Sequence, residues 1–169
     1  MKAISIKQPW AWLIASGYMT VENRKWYTAH RGDIMIHASK SKFDLETDIN
    51  FVQQKFGVLV DRDQLLFGKC LAVAELTGCT KAPQERIDRY CHKEGHFAWI
   101  LRRIRPIEPF PARGKLNLFD IPFSWDEYPD LITEPIPIGR ALLAAGCGDI
   151  VKYIEDPASV PAFIRRARK

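Results

Sequence analysis

The sequence predicts an α+β domain: a small mixed β-barrel with helices inserted between its strands, followed by an irregular proline-rich C-terminal extension. Three observations lead there. Apolar periodicity switches between two and 3.6 residues in the order strand, helix, two strands, helix, two strands. No glycine-rich phosphate loop follows a strand, and the strict strand–helix alternation of a doubly wound sheet is missing. Past Pro109 the texture changes to an extended stretch with six prolines between residues 109 and 139.

Lys2–Ile6 alternates apolar and polar residues and reads as a short strand. Pro9 opens a helix at its first position, where the missing N–H costs nothing, and Gly17 falls where a left-handed C-terminal cap is expected. Thr20–Thr28 alternates and is rich in β-branched and aromatic residues, so it reads as a strand. After the turn Arg31-Gly32-Asp33, Asp33–Ala38 is another strand, with Ile34 and Ile36 on one face and Met35 and His37 on the other. Ser41 is placed to cap a second helix, whose stripe of Leu45, Ile49, Val52 and Phe56 ends near Gly57. Lys69–Leu76 and Phe97–Ile107 are strands, the second closed by Pro106 and Pro109, with a short charged helix between them starting at Pro83. "LNLFDIPF" packs down as a last strand, and Arg140–Gly146 and Ala158–Ala167 are short helical pieces.

With 169 residues, 47% of them apolar and 27% charged, the chain is a globular domain able to bury its own core. Residues 1–110 are expected to form the barrel, with 111–169 packed on the same domain. The opening "MKAISIKQPWAWLIASG" lacks the apolar run and cleavage site of a signal peptide, and no stretch is long enough to span a bilayer. A cytoplasmic location with no membrane partner is the expectation. Cys70, Cys79, Cys91 and Cys147 lack the close paired spacing of structural zinc, although Cys79, Cys91, His92 and His96 make a metal set on paper. Free thiols, no metal and no cofactor are expected.

The net charge of +5 is unevenly spread. Residues 1–42 carry seven Lys or Arg against Glu22 and Asp33, while residues 116–150 carry six acids against Arg140. Such asymmetry suits an anionic partner on one basic side, or simply a solvated surface. The densest polar constellation is Gly17–Ser39. On a strand over 20–28, Thr20, Glu22, Arg24 and Trp26 share one face, and Asn23, Lys25 and Tyr27 the other. Glu22 and Arg24 are then an acceptor and a donor of fixed geometry beside an indole on which a base can stack. The plainer alternative is a salt bridge that closes the barrel.

The segment "ISIKQPWAWLIASGYMTVENRKWYTAHRGDIMIHAS" resembles the ASCH domain family. "QPWAWLI" after the first strand, the G-x-x-T-x-E-x-R run from Gly17 to Arg24 and "RGDIMIHAS" carry the match. "GKCLAVAELTGC" and "FAWILRRIRPI" look like later barrel strands of the family. The resemblance implies a PUA-like barrel with helices flanking a cleft. It further implies binding of RNA, single-stranded DNA or a nucleotide, or hydrolysis of RNA or a modified nucleoside. The motif position usually held by Lys is Met19, and a thioether is no nucleophile, base or ammonium donor. Lys7, ahead of the first helix, is the better candidate for a replacement ammonium; Lys25 points away.

The candidate ligand-binding set is therefore Lys7, Gln8, Trp10, Thr20, Glu22, Arg24, Trp26, His37 and Ser39. Trp10 and His37 serve equally well as core or structural residues. A hydrolase would draw on Lys7, Glu22 and Glu75, the last placed mid-strand on a face with Leu71 and Val73, where burial would raise its pKa. Lys25, Arg31, Arg102, Arg103 and Arg105 are candidate phosphate contacts, with Arg113 and Lys115 close by, although strand alternation separates Arg102 from Arg103 and Arg105. Charged residues guarding an edge strand explain the same run. A small-molecule or protein-interaction domain with an incidentally basic surface is the third reading.

Overall fold

The computed structural model describes residues 1–81 and 95–127. The elements run β1 (Lys2–Ile6), α1 (Trp10–Ala15), β2 (Val21–Arg24), β3 (Gly32–Ala38), α2 (Leu45–Phe56), β4 (Lys69–Lys81), β5 (Phe97–Pro111) and β6 (Leu118–Asp120). One mixed sheet holds all six strands in the order β2-β5-β4-β3-β1-β6, with β1 parallel to β3 and the other pairs antiparallel. β2 and β1 lie three strands apart in that order, yet Arg24 Nη2 donates to Ser5 O at 2.6 Å. The sheet must curl strongly for this, and it forms a half-barrel whose seam is bridged by a side chain.

Both faces of the curled sheet are covered. The inner face packs Ile4, Ile6, Ile34, Ile36, Ala72, Ala74, Leu76, Trp99 and Leu101 against Leu13 and Ile14 of α1 and Ile49 and Val52 of α2. The outer face packs Ala3, Met35, Cys70 and Val73 under Ile107, Phe119, Ile121 and Phe123. Each fully buried aliphatic side chain contributes roughly 1.5–3 kcal/mol over its exposed state. Double-sided burial explains why β3 carries apolar residues on both faces, Ile34 and Ile36 on the inner and Met35 on the outer. It also accounts for the high pKa of the Cys70 thiol, which burial pushes up to about 12.

α1 ends as expected. The Gly17 N–H bonds Ile14 O and the Tyr18 N–H bonds Leu13 O, with Gly17 at φ 73° in the left-handed region that glycine tolerates. Ser41, by contrast, does not cap α2. Its hydroxyl accepts from the Phe43 N–H in a tight turn, and Asp44, at φ 59°, stands before the helix without a side-chain cap. β2 is shorter than the alternation over 20–28 predicts, because β5 pairs only Val21–Arg24. β4 and β5 are longer, and Pro106 and Pro109 lie inside β5 instead of closing it. Beyond Ile100 that strand no longer pairs with β2, so a proline there takes no bond from the β2 ladder. The last strand expected in "LNLFDIPF" is β6, antiparallel to β1.

Two register shifts revise the predicted faces. Between Ile36 and His37 the pairing with β4 skips a residue, so Leu71 turns to the inner core while Val73 stays outside with Glu75. On β5, Arg102 opposes Glu75 and Arg105 opposes Val73, with Arg103 bulged at φ 44°. Arg102 and Arg105 consequently share a face that simple alternation denies them. The expected helices at Pro83, Arg140–Gly146 and Ala158–Ala167 lie outside the described residues, as do Cys91, His92, Cys147 and the Phe56 side chain. No helix among the described residues is long and apolar enough to cross a membrane.

The β5–β6 loop rests directly on the outer face. A Cβ at Gly114 would lie 2.6 Å from His37 Cε1 and 2.7 Å from Ser5 Oγ, and its neighbours there are a buried ring and a strand residue with little room to yield. Gly114→Ala is expected to destabilise the fold by about 1–3 kcal/mol, read as a lower denaturation midpoint with an unchanged slope.

Candidate functional site

β2 presents Glu22 and Arg24 on one side, as the period of two requires. Glu22 opposes Trp99, a residue of the inner core, so the pair faces the hollow side of the half-barrel. Their side chains are only 11% and 25% exposed, with Arg24 Nε 2.9 Å from Glu22 Oε1. The Nε–H does not align on that oxygen, so the contact is one of charge more than of hydrogen-bond geometry. Burial raises the Glu22 pKa above the usual carboxylate range, against the opposing pull of Arg24 and His96. An acid in an ordinary exposed salt bridge shifts the other way.

His96 enters here from outside the predicted set. It appeared in the sequence only as a metal candidate, but Arg24 pairs with Phe97, which brings the residue before β5 beside the end of β2. A prediction of the β2–β5 register would have found it. Thr20 precedes the strand, and its carbonyl accepts from the Leu101 N–H. Trp26 lies beyond the strand, half-buried and edge-on to Trp99 at 4.7 Å, and its carbonyl takes the Trp99 indole N–H. Lys25 is exposed past the end of β2. Met19, in the motif position usually held by Lys, is buried in the inner core.

The other candidates are distributed elsewhere. Lys7 Nζ lies 3.8 Å from Asp44 and 3.7 Å from Asp48 and sits over the Phe43 ring, which directs it to the start of α2. Trp10 donates its indole N–H to Asp48 at 3.1 Å. Gln8 is fully buried; its amide donates to Leu66 O at 2.7 Å and its Oε1 accepts the Trp12 N–H at 3.0 Å, satisfying a donor at the start of α1. Ser39 Oγ accepts from the Ser41 N–H. Glu75 projects to the outer face, away from Glu22, with Asp33 and Arg102 as its cross-strand neighbours.

Of the basic candidates, Arg105 is committed to Asp33 at 2.7 Å and stacks over Trp125, whose indole also donates to Asp33. Arg31 folds back on the carbonyls of Thr28 and His30. Arg102 and Arg103 are exposed. No group of three or more His, Cys, Asp or Glu is arranged to hold a metal among the described residues.

His37 occupies the outer core. Its Nε2 donates to Ala112 O at 3.1 Å, since a carbonyl can only accept, and its Nδ1 accepts from Ser5 Oγ at 3.0 Å. The ring is therefore the neutral Nε2–H tautomer. Burial lowers its pKa, helped by Lys40. Ser5 thus joins two chains of contacts: its carbonyl holds Arg24 and its hydroxyl holds His37.

A mixed half-barrel flanked by two helices, with a buried acid–guanidinium pair on its inner face, defines a class of small α+β barrel modules built around an internal polar site. The ASCH domain model matches residues 4–134, and the chain belongs to the ASCH domain family. It is 49% identical over 127 residues to activating signal cointegrator 1 of Homo sapiens and 37% identical over 127 residues to that of Mus musculus. Each match covers 70% of this chain and 22% of the relative, so the chain spans about a fifth of the length of these curated relatives. The ASCH crystal structure from Zymomonas mobilis aligns over 79% of this chain and 96% of its own, with a TM-score of 0.48 and 15% identity.

His37 makes a pH prediction with a definite sign. Its folded pKa lies below the ordinary 6.5, so the unfolded chain takes up a proton first as the pH falls. Its contribution to stability is complete above 6.5 and is lost as the pH drops through the window down to the depressed folded value. The stability gap between the wild type and His37→Asn should therefore narrow on acidification across that window. Urea melts of both proteins over a pH series check this.

Proposed function

We propose that this chain is a nucleic-acid-binding module that takes an unpaired base of RNA or single-stranded DNA, or a nucleotide carrying it, against Glu22 and Arg24. The observation that carries the reading is the placement of this pair: buried on the concave face, with the carboxylate held in a site that raises its pKa. Known contacts use Glu22 Oε1 and Arg24 Nε and Nη2. Among the described residues nothing engages the second carboxylate oxygen or the Nη1 donor, and the two can meet a base edge, which carries donors and acceptors side by side. Pairing in an intact duplex occupies the Watson–Crick edge, so a single-stranded or flipped base fits better.

Binding is favoured over hydrolysis by two placements. The motif position that holds a Lys elsewhere in the family is a buried Met19, and the Lys7 ammonium is engaged by the acids of α2. Among the described residues, the charged groups acting on Glu22 are Arg24 and His96, neither of them an amine. The whole-length relatives' activities are not carried over, since this chain matches a small part of them.

Short single-stranded oligonucleotides should raise the melting temperature of the wild type without being cleaved. Glu22→Gln keeps the shape but removes the charge, and it should weaken oligonucleotide affinity by roughly ten- to a hundredfold, the worth of one charged hydrogen bond. The loss should depend on the base supplied, since the pair reads an edge. Unchanged affinity for every base in Glu22→Gln, measured by fluorescence anisotropy, would show the pair to be only a structural clasp.

A further inference from the structure

An open groove of about 620 Å³ lies at the far ends of β3, β4 and β5, away from Glu22. Lys40, Lys69 and Arg113 line it, with Phe67, Gly68 and Pro111 between them. Ion pairs among the described residues engage Lys2, Lys7, Arg24, Arg62 and Arg105, and none of the three groove cations. Lys42 adds a fourth positive group, its ammonium 5.3 Å above the Phe67 ring. Like charges around one depression repel each other, and an anion seated among them removes that cost.

The groove is also shaped for its cations. A Cβ at Gly68 would come within 2.6 Å of Lys40 Cε and 2.9 Å of its Cγ, so the bare glycine provides the space through which the Lys40 stem passes. Gly68 is itself tied on both sides, donating to Ala38 O at 2.7 Å and accepting from the Ala112 N–H at 3.1 Å. The Lys40 charge reaches the protein interior, where it helps depress the His37 pKa.

We infer that this groove is a second binding site, a track for the phosphodiester backbone of single-stranded nucleic acid. The inference rests on the nucleic-acid reading above and adds a contact surface separate from Glu22 and Arg24. Cations without an ion pair among the described residues, interleaved with a flat ring and a proline, suit a strand, whose phosphates alternate with planar bases. An acidic peptide would satisfy the charges but bring no planar group to the ring and proline that line the groove. The track lies beyond Arg102, Arg103 and Arg105 of β5, and its cations Lys40, Lys69 and Arg113 come from separate segments.

The test is a salt series of fluorescence anisotropy with labelled short single-stranded RNA and DNA, on the full chain and two variants. In one variant Lys40, Lys69 and Arg113 are all changed to Gln; in the other Arg102 and Arg103 are. The groove variant should bind both strands more weakly, whatever their sequence, and lose about two units of the log–log salt slope, roughly 0.7 for each phosphate contact. Over a tenfold change in salt that is about a hundredfold in affinity. Melting curves matching the wild type establish that the groove variant is folded. An undiminished slope in the groove variant overturns the proposal, as does a slope lost instead in the Arg102/Arg103 variant. Full competition by an unlabelled acidic peptide of equal charge overturns it too. A reduced slope together with a Glu22→Gln variant that keeps its base preference leaves the groove standing and removes the base site. Absence of salt-dependent binding in the wild type removes both.

Discussion

One side chain decides the shape of this molecule. The Arg24 guanidinium spans from β2 to the Ser5 carbonyl on β1, joining strands that the sheet order keeps apart. β6 pairs with β1 only as far as Ile4, so the Ser5 carbonyl at the seam is available for a side-chain donor. A backbone acceptor left without a partner in a half-buried position costs about 1–3 kcal/mol. Arginine suits the position because its planar fork serves Glu22 and Ser5 at once, which a lysine ammonium on a flexible stem does less well. The buried carboxylate then has a fixed counter-charge, and burial rather than pairing sets its pKa.

From that seam a line of polar contacts runs through the barrel wall. Glu22 meets Arg24, Arg24 holds the Ser5 carbonyl, the Ser5 hydroxyl donates to His37, and His37 donates to Ala112 at the edge of the groove. Ala112 is bonded to Gly68, which makes room for Lys40. Each step as far as Gly68 is a hydrogen bond or ion pair among buried or half-buried groups, where such contacts are strong when complete and costly when broken. The base site and the phosphate track proposed above are thus the two ends of one connected structure. Gly114 lies against the His37 ring and the Ser5 hydroxyl in the middle of this line.

Much of the fold was legible in the residues, and the reasons are local. Period-two alternation located β1 and β3, and the glycine after α1 marked its end, because those signals depend on neighbours within a few positions. The ASCH-like run Gly17–Arg24 pointed to the acid and the guanidinium correctly as a pair on one face. What was not legible depends on partners distant in sequence. β2 stops at Arg24 because β5 stops pairing there, and this leaves Trp26 packed edge-on against Trp99. Bulges at Arg103 and after Ile36 moved Arg102 and Leu71 between faces, which alternation cannot anticipate. His96 and the trio Lys40, Lys69 and Arg113 come together only through strand register and a loop crossing, so no spacing in the chain announces them.

The most direct measurement is the guanidinium resonance of Arg24 in nitrogen-15 NMR, recorded before and after adding a short single-stranded RNA. The account predicts a resolved, slowly exchanging Nη2–H signal in the free protein, held by the Ser5 carbonyl, that shifts on addition of RNA while the Arg102 signal stays in place. A signal averaged by free rotation, or one indifferent to RNA, would contradict it: Arg24 would then neither close the barrel nor meet a ligand.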